Sequence, residues 1–314
     1  MIFPPLTLLC GGLALLYVGA EGLVRGSTAL ALRLGLTPLV VGLTVVAFGT
    51  SSPELVVSVQ ASLTGNGPIA LGNVIGSNIC NVGLILGLAA LIRPLNVHVQ
   101  LLRLDVPLML LTSILLTLLL RDSGLARPEG LLLTIGIVLY TTFNVWKARR
   151  EHTAAQQEFA DVIPSIETKA WRDVLFVLGG IALLIVGAHL LVSGAVAIAE
   201  RLGLSKAVIG LTIIAVGTSL PELATSLVAA ARGEGDIAIG NVVGSNVFNI
   251  LAILGFAALL NPLYAHEIGL VDLGVMTAFA LLILPLMRSG FRLTRWEGAL
   301  LLGLYAAYVV YLLP

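Results

Sequence analysis

Apolar residues in this chain come in long runs rather than in alternation. Runs of about 20 residues, the length an α-helix needs to cross about 30 Å of hydrocarbon, recur near 5–27, 37–63, 68–92, 104–120, 128–147, 172–200, 206–231, 236–260, 268–287 and 295–312. Barrel strands would instead alternate over about 10 residues. The pattern predicts an all-α polytopic membrane protein with ten transmembrane helices. Its one long polar segment, KARREHTAAQQEFADVIPSIETKAWR from Lys147 to Arg172, reads as a linker. The expected organisation is a first five-helix half at 1–147, a linker at 148–171 and a second five-helix half at 172–314.

The two halves repeat one another. Residues 42–87 align without a gap on residues 210–255 at an offset of 168, and 26 of the 46 pairs are identical. The likeness extends to Gly19 and Gly26 against Gly187 and Gly194, to Arg33-Leu34-Gly35-Leu36 against Arg201-Leu202-Gly203-Leu204, and to Arg127 and Glu129-Gly130 against Arg295 and Glu297-Gly298. Five helices per half is an odd number, so the halves enter the membrane in opposite directions and form two inverted repeats. Basic residues give the orientation. With the linker in the cytoplasm, 13 of the 17 Lys and Arg fall on that side and four (Arg121, Arg127, Arg201 and Lys206) fall outside, as the positive-inside bias requires. Both termini are then expected outside, in a multi-pass protein of the cell inner (plasma) membrane. Inverted repeats around a midplane site characterise secondary transporters.

Composition narrows the classes. Mean hydropathy is +1.05 and charged residues make up 11%, far below the roughly 25% of soluble domains. The net charge of zero gives no reason to expect a nucleic-acid partner. Cys10 and Cys80 are too few for a disulfide framework and read as small buried hydrophobes. The N-terminus lacks a basic region before its apolar run, so the first helix is expected to be retained. No HExxH or GxSxG motif is present, and an enzyme ranks last among the classes.

The chemistry sits in the duplicated stretch. Each copy carries one glutamate, Glu54 or Glu222, inside an apolar span, and such a carboxylate is a functional-site candidate by default. In Ala47-Phe48-Gly49-Thr50-Ser51-Ser52-Pro53-Glu54 the proline has no N–H and clashes with the preceding turn, so the helix must break or kink. Freed carbonyls at membrane depth need a polar partner, and a cation is one. Backbone oxygens near Ala47 and Thr50, the hydroxyls of Thr50 and Ser51, and Glu54 are expected to converge, with Thr50 and Glu54 on one face if the turn stays helical. Ala215, Thr218, Ser219 and Glu222 repeat the set, with Pro221 as the breaker. The second motif adds Ser77 and Asn81, repeated as Ser245 and Asn249. All of these donors are oxygens, which suits a hard cation such as Ca²⁺ and not a softer transition metal. One Ca²⁺ could neutralise both glutamates, and so could two or more Na⁺ or two protons.

Plainer roles are expected elsewhere. Gly72, Gly76, Gly240 and Gly244 read as helix-packing positions. Asn73, Asn78, Asn241 and Asn246 either cap helices or support the ligands. Glu21 and its counterpart His189 are expected at the surface, Asp105 and Asp272 as helix N-terminal caps, and the linker charges as a solvated face.

The paired GTSSPEL/GTSLPEL and GNVIGSN/GNVVGSN motifs resemble the α-repeats of the Ca²⁺/cation antiporter superfamily, specifically its sodium/calcium exchanger branch, over essentially the whole chain. That resemblance implies ten helices in two inverted repeats. The second, third, seventh and eighth would surround the ions, and the first and sixth would slide during alternating access. It places the metal ligands on Ala47, Thr50, Ser51, Glu54, Ser77, Asn81, Ala215, Thr218, Ser219, Glu222, Ser245 and Asn249. It implies Ca²⁺ export driven by Na⁺ entry, with no cofactor beyond the transported ions, Ca²⁺ and Na⁺, and the lipid bilayer as surroundings. Both half-sites lie on one chain, so a functional monomer is expected. Some relatives carry Asp where this chain has Asn249, and its absence argues against K⁺ co-transport. Proton-coupled relatives carry an acidic residue after the Gly-Asn of the second motif, where this chain has Val74 and Val242. A calcium/proton antiporter is the alternative, and a cation channel is a more distant one.

Overall fold

A computed structural model describes residues 3–34, 36–122, 124–158, 170–201, 215–265 and 268–312. In chain order the helices are α1 (Phe3–Leu34), α2 (Pro38–Thr50), α3 (Ser52–Leu63), α4 (Gly67–Ile92), α5 (Leu101–Leu119), α6 (Arg127–Glu158), α7 (Ala170–Arg201), α8 (Ala215–Thr218), α9 (Leu220–Arg232), α10 (Gly235–Leu260), α11 (Leu270–Arg288) and α12 (Arg295–Leu312). Four two-residue strands lie between them: β1 (Leu95–Asn96), β2 (Gly124–Leu125), β3 (Leu263–Tyr264) and β4 (Arg292–Leu293).

Seven of these helices are long and apolar enough to cross a membrane, and α2 with α3 forms an eighth, broken span bent by 49°. The chain is therefore a multi-pass, all-helical membrane protein. The first part of the predicted span 206–231 lies outside the described residues, as do residues 159–169 of the predicted linker. α6 continues as helix past its predicted end at 147, through Glu158.

The centre is built from the duplicated stretch. α4 and α10 are buried along 72% and 78% of their spans, against 22–39% for the other long helices. Their apolar residues need not face lipid, so the small and polar residues of the second motif can sit inside. Around this centre, contacts of the two halves exchange when each residue number is shifted by 168. β1 pairs antiparallel with β4 and β2 with β3, so each half's first strand joins the other half's second.

α1 and α7 pack antiparallel along their length and obey the same exchange. A Cβ at Gly12 would meet Leu191 N at 2.7 Å and Gly187 O at 2.8 Å, and one at Gly180 would meet Leu23 N and Gly19 O, each at 2.7 Å. Those neighbours are backbone and cannot rotate away. Glycine is what lets the two helices approach so closely, as small residues do in membrane interfaces.

The halves part at the fourth predicted span. α5 opens with a π-helical turn, Leu101–Asp105, whereas α11 is regular from Leu270 onward. A π turn accommodates one extra residue, so equivalent positions here differ by 167 rather than 168, as with Asp105 and Asp272 or Met109 and Met276. The two aspartates also differ in role. Asp272 accepts the Gly269 N–H at 3.1 Å as a cap. Asp105, expected to be a cap, is instead fully buried, although each aspartate accepts a repeat-related tyrosine hydroxyl, Asp105 from Tyr140 at 3.1 Å and Asp272 from Tyr308 at 2.8 Å. Cys80 is buried as expected, but Cys10 is exposed on the lipid-facing side of α1.

Candidate functional site

Pro53 stands in the first turn of α3 and Pro221 in the first turn of α9, where a missing N–H costs nothing. The helix therefore breaks one step earlier, at Ser51 (φ −80°, ψ 9°) and at Ser219 (φ −86°, ψ 7°). Each break turns a serine hydroxyl away from its own helix and across to the other repeat. Ser51 donates to Glu222 Oε1 at 2.7 Å and lies 3.1 Å from Ser245 Oγ. Ser219 donates to Glu54 Oε1 at 3.1 Å and lies 3.2 Å from Ser77 Oγ. The expected grouping of Thr50 with Glu54 on one face is thus replaced by a crossed one, in which the hydroxyls of one repeat serve the carboxylate of the other.

The threonines cross over in the same way. Thr50 donates to Asn241 Oδ1 at 3.0 Å and Thr218 to Asn73 Oδ1 at 3.3 Å. Each of these asparagines uses its NH₂ to hold its own repeat's glutamate segment. Asn73 reaches Glu54 O (3.2 Å) and Ser58 Oγ (2.9 Å), and Asn241 reaches Glu222 O (3.4 Å) and Ser226 Oγ (3.0 Å). The Ala47 carbonyl already accepts the Ser51 N–H at 3.0 Å. Ala215 begins the short helix α8.

Asn81 and Asn249 each open a π-helical turn, Asn81–Leu86 and Asn249–Leu254. Their NH₂ groups are taken by the other repeat: Asn81 donates to Asn246 Oδ1 and Asn249 to Asn78 Oδ1, both at 3.0 Å. An amide whose nitrogen is engaged presents its oxygen in a fixed direction. Asn78 and Asn246, left open between two roles in the sequence, orient these amides, and Asn73 and Asn241 brace the glutamates. The signal for them was already present in the sequence, since each asparagine recurs at the same offset as the candidate ligands.

Ala47, Thr50, Ser51, Glu54, Ser77, Asn81, Ser219, Glu222, Ser245 and Asn249 are all buried, and Thr218 is half-buried. Four oxygens of this set are enclosed and accept no hydrogen bond: Glu54 Oε2, Glu222 Oε2, Asn81 Oδ1 and Asn249 Oδ1. They form two pairs related by the 168-residue exchange. An unsatisfied buried acceptor costs about 1–3 kcal/mol, more if charged, so four together make a strongly electronegative pocket. Among the described residues neither glutamate makes a salt bridge, and no group of three or more His, Cys, Asp or Glu could hold a metal. The donors are carboxylate, hydroxyl and amide oxygens, which suit a hard cation.

A multi-pass helical bundle with a buried oxygen site assembled from two exchanging repeats is the construction of a membrane carrier. The chain belongs to the sodium/calcium exchanger family, whose profile matches residues 5–146 and 173–313. It is a transporter of the antiporter class and not an enzyme. The inner membrane protein YrbG of Escherichia coli is 42% identical over 258 residues, covering 81% of this chain and 79% of that one. The sodium/calcium exchanger MaX1 of Methanosarcina acetivorans is 33% identical over 340 residues, 96% of each. The solved structure of the sodium-calcium exchanger NCX_Mj soaked with 2.5 mM Na⁺ and 0.1 mM Ca²⁺ superposes with a TM-score of 0.85 at 34% identity, covering 99% of both chains.

Proposed function

We propose that this protein is a Na⁺/Ca²⁺ antiporter that exports Ca²⁺ against Na⁺ entry by alternating access at a single midplane site. The observation that carries the reading is the set of four enclosed, unpartnered oxygens, Glu54 Oε2, Glu222 Oε2, Asn81 Oδ1 and Asn249 Oδ1. Ca²⁺ takes six to eight oxygens at 2.3–2.6 Å. The transported ions would be held by Glu54 and Glu222, by Thr50, Ser51, Ser77, Thr218, Ser219 and Ser245, by the amide oxygens of Asn81 and Asn249, and by the carbonyls of Ala47 and Ala215. A cavity with two carboxylates must be filled by one compensating set of cations or another, and that requirement makes exchange obligatory. No further cofactor is needed.

The same reading takes the fold as ten helices in two inverted five-helix repeats, 1–147 and 172–314, joined by a cytoplasmic linker at 148–171. The exchange of contacts by 168 residues supports it, and so does the antiparallel glycine interface of α1 and α7. The Lys and Arg bias favours both termini outside, and likeness to YrbG favours the inner membrane. Because each half-site borrows hydroxyls from the other repeat on the same chain, a monomer suffices.

The test is Ca²⁺ uptake into proteoliposomes loaded with Na⁺. Uptake should require the outward Na⁺ gradient. Two protons would also satisfy two orphaned carboxylate oxygens, so uptake that ignores Na⁺ and follows a pH gradient would establish calcium/proton exchange instead. Flux with no counter-ion would establish a channel.

A further inference from the structure

Five arginines gather at one end of the molecule, and two of them have no protein partner to explain them. Arg93, Arg295 and Arg292 are structural. Arg93 lies over the Gly233 turn, Arg295 donates to Leu91 O and Ile92 O at the end of α4, and Arg292 belongs to the β1–β4 pair. Arg103 and Arg288 are exposed and make no salt bridge or hydrogen bond among the described residues. Both line a cavity of about 560 Å³ whose other walls are Val99, Leu102, Leu284, Pro285 and Phe291.

The cavity is formed by irregular backbone. The π-helical turn Leu101–Asp105 carries Arg103, and the regular start of α11 has no such turn. π turns occur often at functional sites. Phe291 holds φ at +53°, a left-handed conformation that is costly for a bulky residue. It is locked there by the β1–β4 pair and by the Val97 N–H bond to its carbonyl at 2.8 Å. That pair joins the chain entering α5 to the chain leaving α11. Arg103, near the start of one span, and Arg288, at the end of the other, therefore lie at the same membrane face. By the 167-residue offset of α5 and α11 the positions related to these arginines are Leu270 and Arg121, so the opposite face keeps one basic residue and not a pair.

We propose that the cavity between α5 and α11 is a binding site for an anionic phospholipid of the adjoining leaflet, its phosphate held by Arg103 and Arg288 and its first acyl carbons by Leu102, Leu284 and Phe291. An apolar cleft with two cations at the depth of the headgroups matches an amphipathic anion. Basic pockets between membrane helices take such headgroups, and guanidinium groups bind phosphate with charge-assisted hydrogen bonds. A soluble anion would not need the apolar wall.

The test is native mass spectrometry of the full-length protein in detergent, titrated with phosphatidylglycerol and separately with phosphatidylcholine. The wild type should retain phosphatidylglycerol in preference. Arg103→Gln and Arg288→Gln should each weaken that retention roughly fivefold, as expected of one basic group near an anionic headgroup. Leu284→Trp, which fills the cleft with both arginines intact, should weaken it at least as much. Arg121→Gln, at the end of α5 remote from the cleft, should leave it unchanged. Equal loss in Arg121→Gln would overturn the proposal, since general surface charge would then explain the binding. So would full retention by Leu284→Trp, or displacement of the lipid by about 10 mM inorganic phosphate, which would mark a small-anion site. If one arginine variant fails to fold, the other and Leu284→Trp decide the matter.

Discussion

At the centre of the molecule the contacts that build the site come in mated pairs, one from each half, while at the rim the halves go separate ways. Ser51 to Glu222 is matched by Ser219 to Glu54, Thr50 to Asn241 by Thr218 to Asn73, and Asn81 to Asn246 by Asn249 to Asn78, each within a few tenths of an ångström. At the rim, Glu21 of α1 accepts Arg232 and Arg25, both at 2.7 Å, where the repeat-related positions are Thr64 and His189. Asp105 is buried where Asp272 caps. The difference separates two constraints. A site that must serve both membrane faces by one chemistry keeps its two-fold arrangement, and surfaces that meet unlike leaflets are free to diverge.

The largest effect should come from removing either central charge. Glu54→Gln and Glu222→Gln keep the shape and lose the anion, and each should lower Ca²⁺ flux in proteoliposomes at least about 100-fold, because charge count sets Ca²⁺ affinity over decades. The two losses should be equal within a few-fold. Retained flux in either variant would sink the site assignment, and a large inequality would break the central symmetry.

Next come the crossed hydroxyls. A hydrogen bond to a charged group contributes about 1.5–3 kcal/mol, so Ser51→Ala and Ser219→Ala should each weaken Ca²⁺ binding roughly tenfold. The crossed arrangement also specifies partners. In double-mutant cycles measured by calorimetry, Ser51 should couple to Glu222 and not to Glu54, and Ser219 to Glu54 and not to Glu222. Coupling within one repeat instead would overturn the crossing.

A weaker effect is expected of the residues that aim the ligands. Asn246→Ala frees the Asn81 amide and Asn78→Ala frees that of Asn249. Loss of such an orienting partner costs about 10-fold or somewhat more in metal affinity, and Asn81→Ala should add little once Asn246 is gone. Additive losses would mean that Asn246 acts independently.

The sequence made the centre legible because membranes are strict. Apolar runs marked the spans, and a carboxylate inside one marks itself. The 168-residue offset paired the half-sites before any coordinates. The crossing was not legible, because the direction of the Ser51 and Ser219 hydroxyls is set by the angle of the helix break, and Pro53 announces a break without giving its angle. The supporting role of Asn78 and Asn246 also depended on which helix faces which. The π turn at Leu101–Asp105 was not legible, because one extra residue in an apolar run leaves no mark of its own. The one-residue slip shows in a matched pair of bonds, since Tyr140 and Tyr308 are 168 apart while the aspartates they reach, Asp105 and Asp272, are 167 apart.

The smallest effect belongs to the asymmetric ion pair, and its size tests whether the rim matters to stability at all. Glu21 is 22% exposed and Arg232 33%, and Glu21 also serves Arg25. Partly solvated and shared, the pair should contribute no more than about 0–1 kcal/mol. In thermal melts of the purified protein, Glu21→Gln and Arg232→Gln should each shift Tm only slightly, and the double variant little beyond the larger single shift. The shift should fade between about 0.05 M and 1 M salt, as screening of partly exposed charges demands. His189→Gln, at the repeat-related position, should change Tm no more. A salt-independent shift several times larger in Glu21→Gln alone would mean that α1 is fastened to α9 at one face by more than an ordinary surface pair. The divergence of the rim would then be an energetic asymmetry between the two faces, not only a structural one.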